Sequence, residues 1–244
     1  MRIIAFNGSP RAEQSNTHVM VEAFLAGAES AGAETENIFL ARKKIKHCLG
    51  CFGCWWKTPG TCVQSDDMAE LIEKYLSADV VIFATPLYID NVSGIMKNFM
   101  DRIIPMGDPH FEKDPHGEVR HVPGKKRDPK FVMMANSGYP EQTHFQVLRL
   151  LARRMARNFD TEIVGEIYRG GGSLLQEEEL KPWIDAYKVQ LRKAGWEIVK
   201  EGKISPLTTR NLEQPLIPAP DYVDIYVKNA NAYMDRMIEV NRKE

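Results

Sequence analysis

An α/β fold built on a parallel sheet is what this sequence predicts, and three features of the chain predict it. Short apolar or β-rich runs alternate with longer amphipathic stretches, one of those stretches carries a clear helical stripe, and the composition is that of a globular domain. The runs are Arg2 to Phe6, Thr35 to Leu40, Asp79 to Ala84, Lys130 to Ala135 and Glu162 to Tyr168. Strands separated by helix-length segments pair in parallel, because each return passes over a face of the sheet. The helical stripe follows Asn91: Val92, Ile95, Met96, Phe99, Met100, Ile103 and Ile104 keep the i, i+3, i+4, i+7 spacing until Pro105 stops it. Residues 106–129 lack any period and are dense in Pro, Gly and charge, which predicts a long loop, either a functional lid or a solvated excursion. His110, His116 and His121 fall in that loop and are assigned no metal role. After Gly202 the chain reads as an extended Pro-rich connector followed by a second amphipathic helix with Val223, Tyr226, Val227, Ala230, Met234 and Met237 on one side. The expected division is a unit over 1–202 and an appended connector and helix over 203–244, the latter packing on the domain or clasping a second subunit.

Composition narrows the function classes. Hydrophobic residues make up 43% and charged residues 27% of 244 positions, enough for a substantial core. Lys+Arg 32 against Asp+Glu 33 leaves a formal net charge of -1, so no global basic field is available for nucleic acid or an anionic membrane. No apolar run reaches membrane-spanning length, and the first strand turns at Asn7-Gly8 too early for a signal-peptide core; the expectation is a cytoplasmic protein.

The segment "NGSPRAEQSNT", residues 7–17, follows the first strand and leads into a helix. In a parallel α/β fold that position can bind a phosphate on free helix N–H groups. It is neither GxGxxG nor GxxxxGK[ST], so neither a dinucleotide turn nor a Walker loop is present. It offers hydroxyls at Ser9, Ser15 and Thr17, an amide at Asn16 and a guanidinium at Arg11, which suit a terminal monoester phosphate; an N-cap at Ser15 or Asn16 with no ligand is the other reading. Two further loops share that edge by topology. One carries Thr85, Pro86, Leu87 and Tyr88, the other Asn136, Ser137, Gly138 and Tyr139. Together they can hold a flat heterocycle tied to a phosphate.

"NGSPR" with "SNT", then "TPLY" followed by "SGIMKNFMDR", then "NSGY", resembles the flavodoxin-like, NADPH-dependent FMN reductase superfamily over residues 1 to about 170. The resemblance implies a three-layer sandwich around a five-stranded parallel sheet of order 2-1-3-4-5, with a C-terminal helical extension lying outside the pattern. It also implies one FMN, its phosphate on Ser9, Arg11, Ser15, Asn16 and Thr17 and its ring system between the 85–88 and 136–139 loops. The implied activity is FMN-dependent NAD(P)H oxidoreduction of the quinone-reductase type, with no catalytic side chain because the flavin carries the chemistry. Its implied partners are small-molecule or protein electron donors and acceptors. A non-enzymatic FMN electron carrier of flavodoxin type is the alternative, and a homodimer or homotetramer is expected.

All four cysteines, Cys48, Cys51, Cys54 and Cys62, lie in "CLGCFGCWWKTPGTC". The first three keep C-x2-C-x2-C spacing, which lets thiolates converge on one cluster, and Cys62 follows after seven residues. Free or redox-active thiols and a structural zinc remain open on spacing alone. The stretch is similar to the compact cysteine motif of iron-sulfur flavoproteins, a branch of the same superfamily, which implies a 4Fe-4S cluster on these residues. By topology the cysteines are expected at the carboxyl edge of the sheet, beside the flavin.

Overall fold

The computed structural model describes residues 1–124 and 128–242; residues 125–127, within the expected 106–129 loop, and residues 243–244 lie outside the described residues. Strand β1, Arg2–Asn7, sends Ile3 and Ala5 to one face and Ile4 and Phe6 to the other, all fully buried. A strand of that kind has two apolar faces and must lie inside a sheet covered on both sides. Helix α1, Asn16–Ser30, crosses to β2, Glu34–Phe39, which pairs in parallel with β1. Glu34, Thr35, Glu36 and Asn37 keep β2 polar, as suits an edge strand.

The chain then leaves the sheet for a long excursion holding a 3-10 turn at Leu40–Arg42 and a short helix, α2 (Gly53–Trp56), and returns through α3, Met68–Ser77, to β3, Val80–Tyr88. A two-residue strand β4, Asn91–Val92, folds back on β3, and α4, Gly94–Asp101, follows. The predicted stripe on α4 is real, but the helix is shorter than its apolar pattern: Ile104–Met106 forms a 3-10 turn around Pro105. Within the expected loop, β5 (Phe111–Lys113) and β6 (Val119–His121) make an antiparallel hairpin that the aperiodic sequence did not announce.

Strand β7 is Lys130–Asn136, α5 Gln146–Asn158, β8 Ile163–Arg169 and α6 Lys181–Glu201. The sheet order β2-β1-β3-β7-β8 is the expected 2-1-3-4-5 arrangement of five parallel strands. Antiparallel β4 raises the strand count to six, and the hairpin adds a second small sheet. The α1 and α6 side chains close one face of the sheet, and those of α3, α4 and α5 close the other. On the first face α1 and α6 touch backbone to backbone: a Cβ on Gly27 would lie 1.9 Å from the Arg192 carbonyl oxygen, and one on Gly195 2.0 Å from that of Phe24.

Beyond Gly202 the expected extended connector is partly helical. Ser205 caps α7, Pro206–Glu213, by accepting from the Thr208 N–H, and its own N–H donates to the buried Glu197 carboxylate at 2.9 Å. Ile204, Leu212 and Leu216 join the same core as Ile3 and Ala5. Two Pro residues and polar side chains hid this helix from a periodicity reading; its ordering comes from Glu197 and from Leu212 packing. Helix α8, Tyr222–Asn241, does lie where the stripe predicted. Among the described residues no helix is long and apolar enough to cross a membrane.

At the amino edge, where α3 ends and β7 begins, burial lifts the Asp128 carboxyl to about 6. A carboxyl raised in the folded state binds its proton more tightly there than in the unfolded chain, so stability falls as pH rises from about 4 to 6. Two pKa units correspond to about 3 kcal/mol, reduced to about 1–2 kcal/mol by the group's partial exposure. Asp128→Asn is therefore expected to stabilise the protein at pH 8 and to leave it unchanged at pH 4, read from urea midpoints; equal gains at both pH values would assign the effect to something other than ionisation.

Candidate functional site

At the carboxyl edge of the sheet, the turn after β1 buries Ser9, Ser15 and Thr17 while leaving Arg11 exposed. Asn7 Oδ1 accepts from the Ser9 N–H at 3.0 Å, and Ser9 Oγ from the Arg11 N–H at 3.4 Å. Ala12 adopts φ +45, a left-handed value that costs energy for a residue with a Cβ and that clusters at functional turns. Ser15 is the N-cap of α1: its Oγ accepts from the His18 N–H at 3.0 Å and donates to the Ala12 carbonyl at 2.6 Å. The cap reading is thus correct for Ser15. It does not remove the anion site, since an α-helix leaves its first N–H groups without intrahelical partners and its dipole favours negative charge there.

The second loop enters through Thr85, fully buried, whose Oγ1 accepts from the Ser93 N–H at 2.9 Å. Between Leu87 and Val92 the chain turns through Ile89 and Asp90, at φ +48 and +55. A β-branched residue in that region is a strained outlier, and Ile89 stands 97% exposed. Pro86 is buried behind Leu87 and Tyr88, and Tyr88 is exposed at the rim. In the third loop Asn136 and Ser137 are buried, Gly138 and Tyr139 exposed, and the Tyr139 ring stacks on His144 at 4.3 Å.

Hydrogen bonds tie these loops to one another. Ser93 Oγ donates to the Gly8 carbonyl at 2.6 Å, joining the first loop to the second. Asn136 Nδ2 donates to Thr17 Oγ1 at 2.7 Å, joining the first to the third. A fourth loop, Gly170–Gly172 after β8, was not legible in the sequence as part of the site. The Gly172 N–H donates to the Ser137 carbonyl at 2.7 Å, and a Cβ at Gly172 would lie 2.7 Å from that of Asn136. Gln176, just beyond, donates to Asn16 Oδ1 at 2.6 Å and closes the ring. The run Gly170-Gly171-Gly172 directly after a strand was the signal available, since glycines there permit close backbone approach. Tyr226 of α8 also reaches this edge, donating from its hydroxyl to the Gly138 carbonyl.

The cysteines lie elsewhere. Their stretch starts at the carboxyl edge but runs down the outer face of α4: His47 Nδ1 meets Asn98 Oδ1 at 3.2 Å, and Trp55 Nε1 donates to the Ile104 carbonyl at 3.2 Å. Gly50, at φ +61, supplies the first sharp turn. All four cysteines line one pocket together with Arg102 and Ile104, at the end of α4 remote from its Ser93 cap. By helical rise that end is about 12 Å from Gly94. The expected position directly at the flavin-side edge is corrected accordingly, because topology placed only the beginning of the stretch.

Arg102 organises this second centre. Its guanidinium is fully buried and holds the Asp66 carboxylate in two bonds of 2.7 and 2.9 Å, donates to the Lys46 carbonyl at 2.6 Å, and reaches Cys62 Sγ at 3.5 Å. Burial works to raise the Asp66 carboxyl, but Arg102 and the Lys46 and Met68 N–H groups hold it below its usual range. Burial raises the Cys54 thiol, with Cys62 adding to the effect. The four thiols are free of disulfides, and among the described residues no three His, Cys, Asp or Glu side chains converge on a single point as one zinc ion would require. The pocket among the four sulfurs has a volume of about 30 Å³.

The model of the family described as NADPH-dependent FMN reductase matches residues 1–125, half of the chain. The chain belongs to that family. Among its curated relatives, an iron-sulfur flavoprotein of Archaeoglobus fulgidus is 36% identical over 151 residues, covering 62% of each chain. Another, of Methanocaldococcus jannaschii, is 42% identical over 106 residues, covering 43% of this chain and 53% of the relative. The chain therefore spans between about half and 62% of the length of these relatives. Among solved structures, an FMN-dependent NADH-azoreductase of Bacillus anthracis superposes with a TM-score of 0.60 at 16% identity, covering 81% of this chain and 99% of that one. The NAD(P)H:quinone oxidoreductase of Methanothermobacter marburgensis gives 0.58 at 16% identity, covering 81% and 96%. At such identities the structural likeness speaks for the flavodoxin-like fold of the family.

Proposed function

We propose that this chain binds FMN at the carboxyl edge and works as an NAD(P)H-dependent oxidoreductase, with a 4Fe-4S cluster held by Cys48, Cys51, Cys54 and Cys62. The observation that carries the flavin reading is the hydrogen bonding around the start of α1, which ties the first, third and fourth loops into a ring and fastens the second to the first. The phosphate would take the first-turn N–H groups of α1 with Ser9, Ser15, Asn16 and Thr17, and Arg11 stands exposed at the same turn for a charge contact. The ring system would lie between Thr85 to Tyr88 and Asn136 to Tyr139. When bound, FMN supplies the hydride and electron chemistry; the protein supplies position and electrostatics. The names of the relatives and the sulfur-lined pocket support the cluster.

Denatured protein is expected to release FMN and not FAD, identified by chromatography, because the turn at Ser9 to Thr17 suits a terminal phosphate. Ser15→Ala and Thr17→Ala should each weaken FMN binding by about 0.5–1.5 kcal/mol, the loss of one neutral hydrogen bond. Release of FAD, or no flavin after reconstitution, overturns the reading. Turnover of NADPH with a quinone separates an enzyme from a carrier.

The unit boundary at Gly202 belongs to the same proposal, although Ile204, Leu212 and Leu216 pack into the core and the start of α8 is fastened to the domain through Tyr222 and Tyr226. Val227, Tyr233, Met234, Ile238 and Val240 of α8 are all exposed. A second copy of the chain, in a homodimer or homotetramer, would cover them. Deleting residues 228–244 should lower the mass measured by light scattering, and an unchanged mass rejects α8 as the interface.

A further inference from the structure

A cavity of about 520 Å³ lies under the β5–β6 hairpin, at the ends of α4 and α5 remote from the carboxyl edge. A second, of about 330 Å³, adjoins it across Trp55, Met106 and Asp128 and extends to Cys54 and Leu76. Their combined size falls in the range of small-molecule sites and far exceeds the room one water needs. The walls of the first are mainly apolar and aromatic: Trp55, Ile103, Met106, Phe111, Val119 and Phe159.

Polar groups also face this interior. His121 Nδ1 is buried without a hydrogen bond, and Asp128 Oδ1 is buried with the Tyr75 hydroxyl as its neighbouring donor, which leaves the carboxylate room for a further one. Native interiors seldom leave a buried polar atom unsatisfied, so the His121 nitrogen asks for a partner. The His121 ring stacks on Phe111 at 4.5 Å and meets Trp55 at a tilt, 4.9 Å away, so the three make an aromatic wall that a further flat ring can contact.

The nearby cations do not make this an anion site. Arg120 is held by Glu112 and Asp160, Arg154 by Glu118, and Arg157 by Asp114 and Glu118. Among the described residues, the charge facing the cavity without an ion-pair partner is the Asp128 carboxylate, which accepts and does not donate. We infer that this cleft binds a neutral aromatic molecule bearing an O–H or N–H donor, of the phenol or arylamine class, with its ring against Phe111 and Trp55 and its donor on Asp128. The site is separate from the carboxyl edge, and the inference is independent of which group that edge holds. Through Trp55 and Cys54 the ligand would border the sulfur-lined pocket.

The test uses the purified full chain titrated with 2-naphthol and, as the donor-less control, 2-methoxynaphthalene, followed by calorimetry. The expected result is one saturable site that prefers 2-naphthol by about tenfold, as a hydrogen bond to a charged group provides. Asp128→Asn should shrink that preference at least threefold, to about threefold or less, because a neutral acceptor replaces a charged one. Val119→Trp, an exposed hairpin position that narrows the mouth, should weaken both compounds, and Ser15→Ala at the carboxyl edge should change neither. No saturable binding overturns the inference. So does binding that ignores both cleft variants, or binding that responds to Ser15→Ala, which would move the aromatic to the other edge.

Discussion

Replacing Arg102 with methionine is expected to destabilise the protein by about 3–5 kcal/mol, the cost of leaving a buried charge without its partner. Arg102 and Asp66 side chains are 1% and 2% exposed, so neither can recover its lost interactions from water. The variant would strand the Asp66 carboxylate and would also remove the donor to the Lys46 carbonyl, which fixes the start of the cysteine stretch. Urea unfolding of wild type and variant measures the difference. The double replacement Arg102→Met with Asp66→Leu should recover a large part of it, because an apolar pair of similar volume carries no desolvation penalty. A loss below about 1 kcal/mol in the single variant would show that the pair is solvated and that its burial is not what holds this loop.

Cys51→Ser is expected to take iron binding from about four atoms per chain to none, after anaerobic reconstitution, while leaving FMN in place. Cys51 lines the same pocket as the other three cysteines, and a serine hydroxyl is a poor substitute for a soft thiolate on iron. Flavin should survive because the pocket is displaced from the carboxyl edge along α4 and shares no hydrogen bond with the loop circuit. Iron and sulfide counts with the flavin absorbance read both outcomes at once. Wild-type protein that takes up no iron under these conditions, yet reduces a quinone with NADPH, would leave a flavin reductase with free thiols.

Local relations are legible in the sequence. The strand runs, the Ser15 cap and the stripe on α4 depend on residues within one or two turns of each other, and hydrophobic periods of 2 and 3.6 report such relations directly. The three loops at the carboxyl edge followed from parallel topology, which sends every strand end to the same side. Helix α7 and the hairpin escaped because their order comes from contacts outside their own segments: Glu197 on Ser205, and Arg157 on the Asp114 and Glu118 carboxylates flanking the hairpin turn.

The sequence by itself determined the fold class, the three loops that meet at the carboxyl edge, and the clustering of four thiols in one short stretch. Only the tertiary structure decided how those parts are joined. Asn136 and Thr17 are 119 positions apart, Gln176 and Asn16 160 apart, and Arg102 and Cys62 40 apart. The path of the chain between such residues is set by packing of whole helices on the sheet, such as the glycine contact of α1 with α6, and no local period carries that information. For the same reason the thiols moved from the expected edge to the far end of α4: the stretch follows Asn98 and Arg102, whose side chains become available only once α4 has packed.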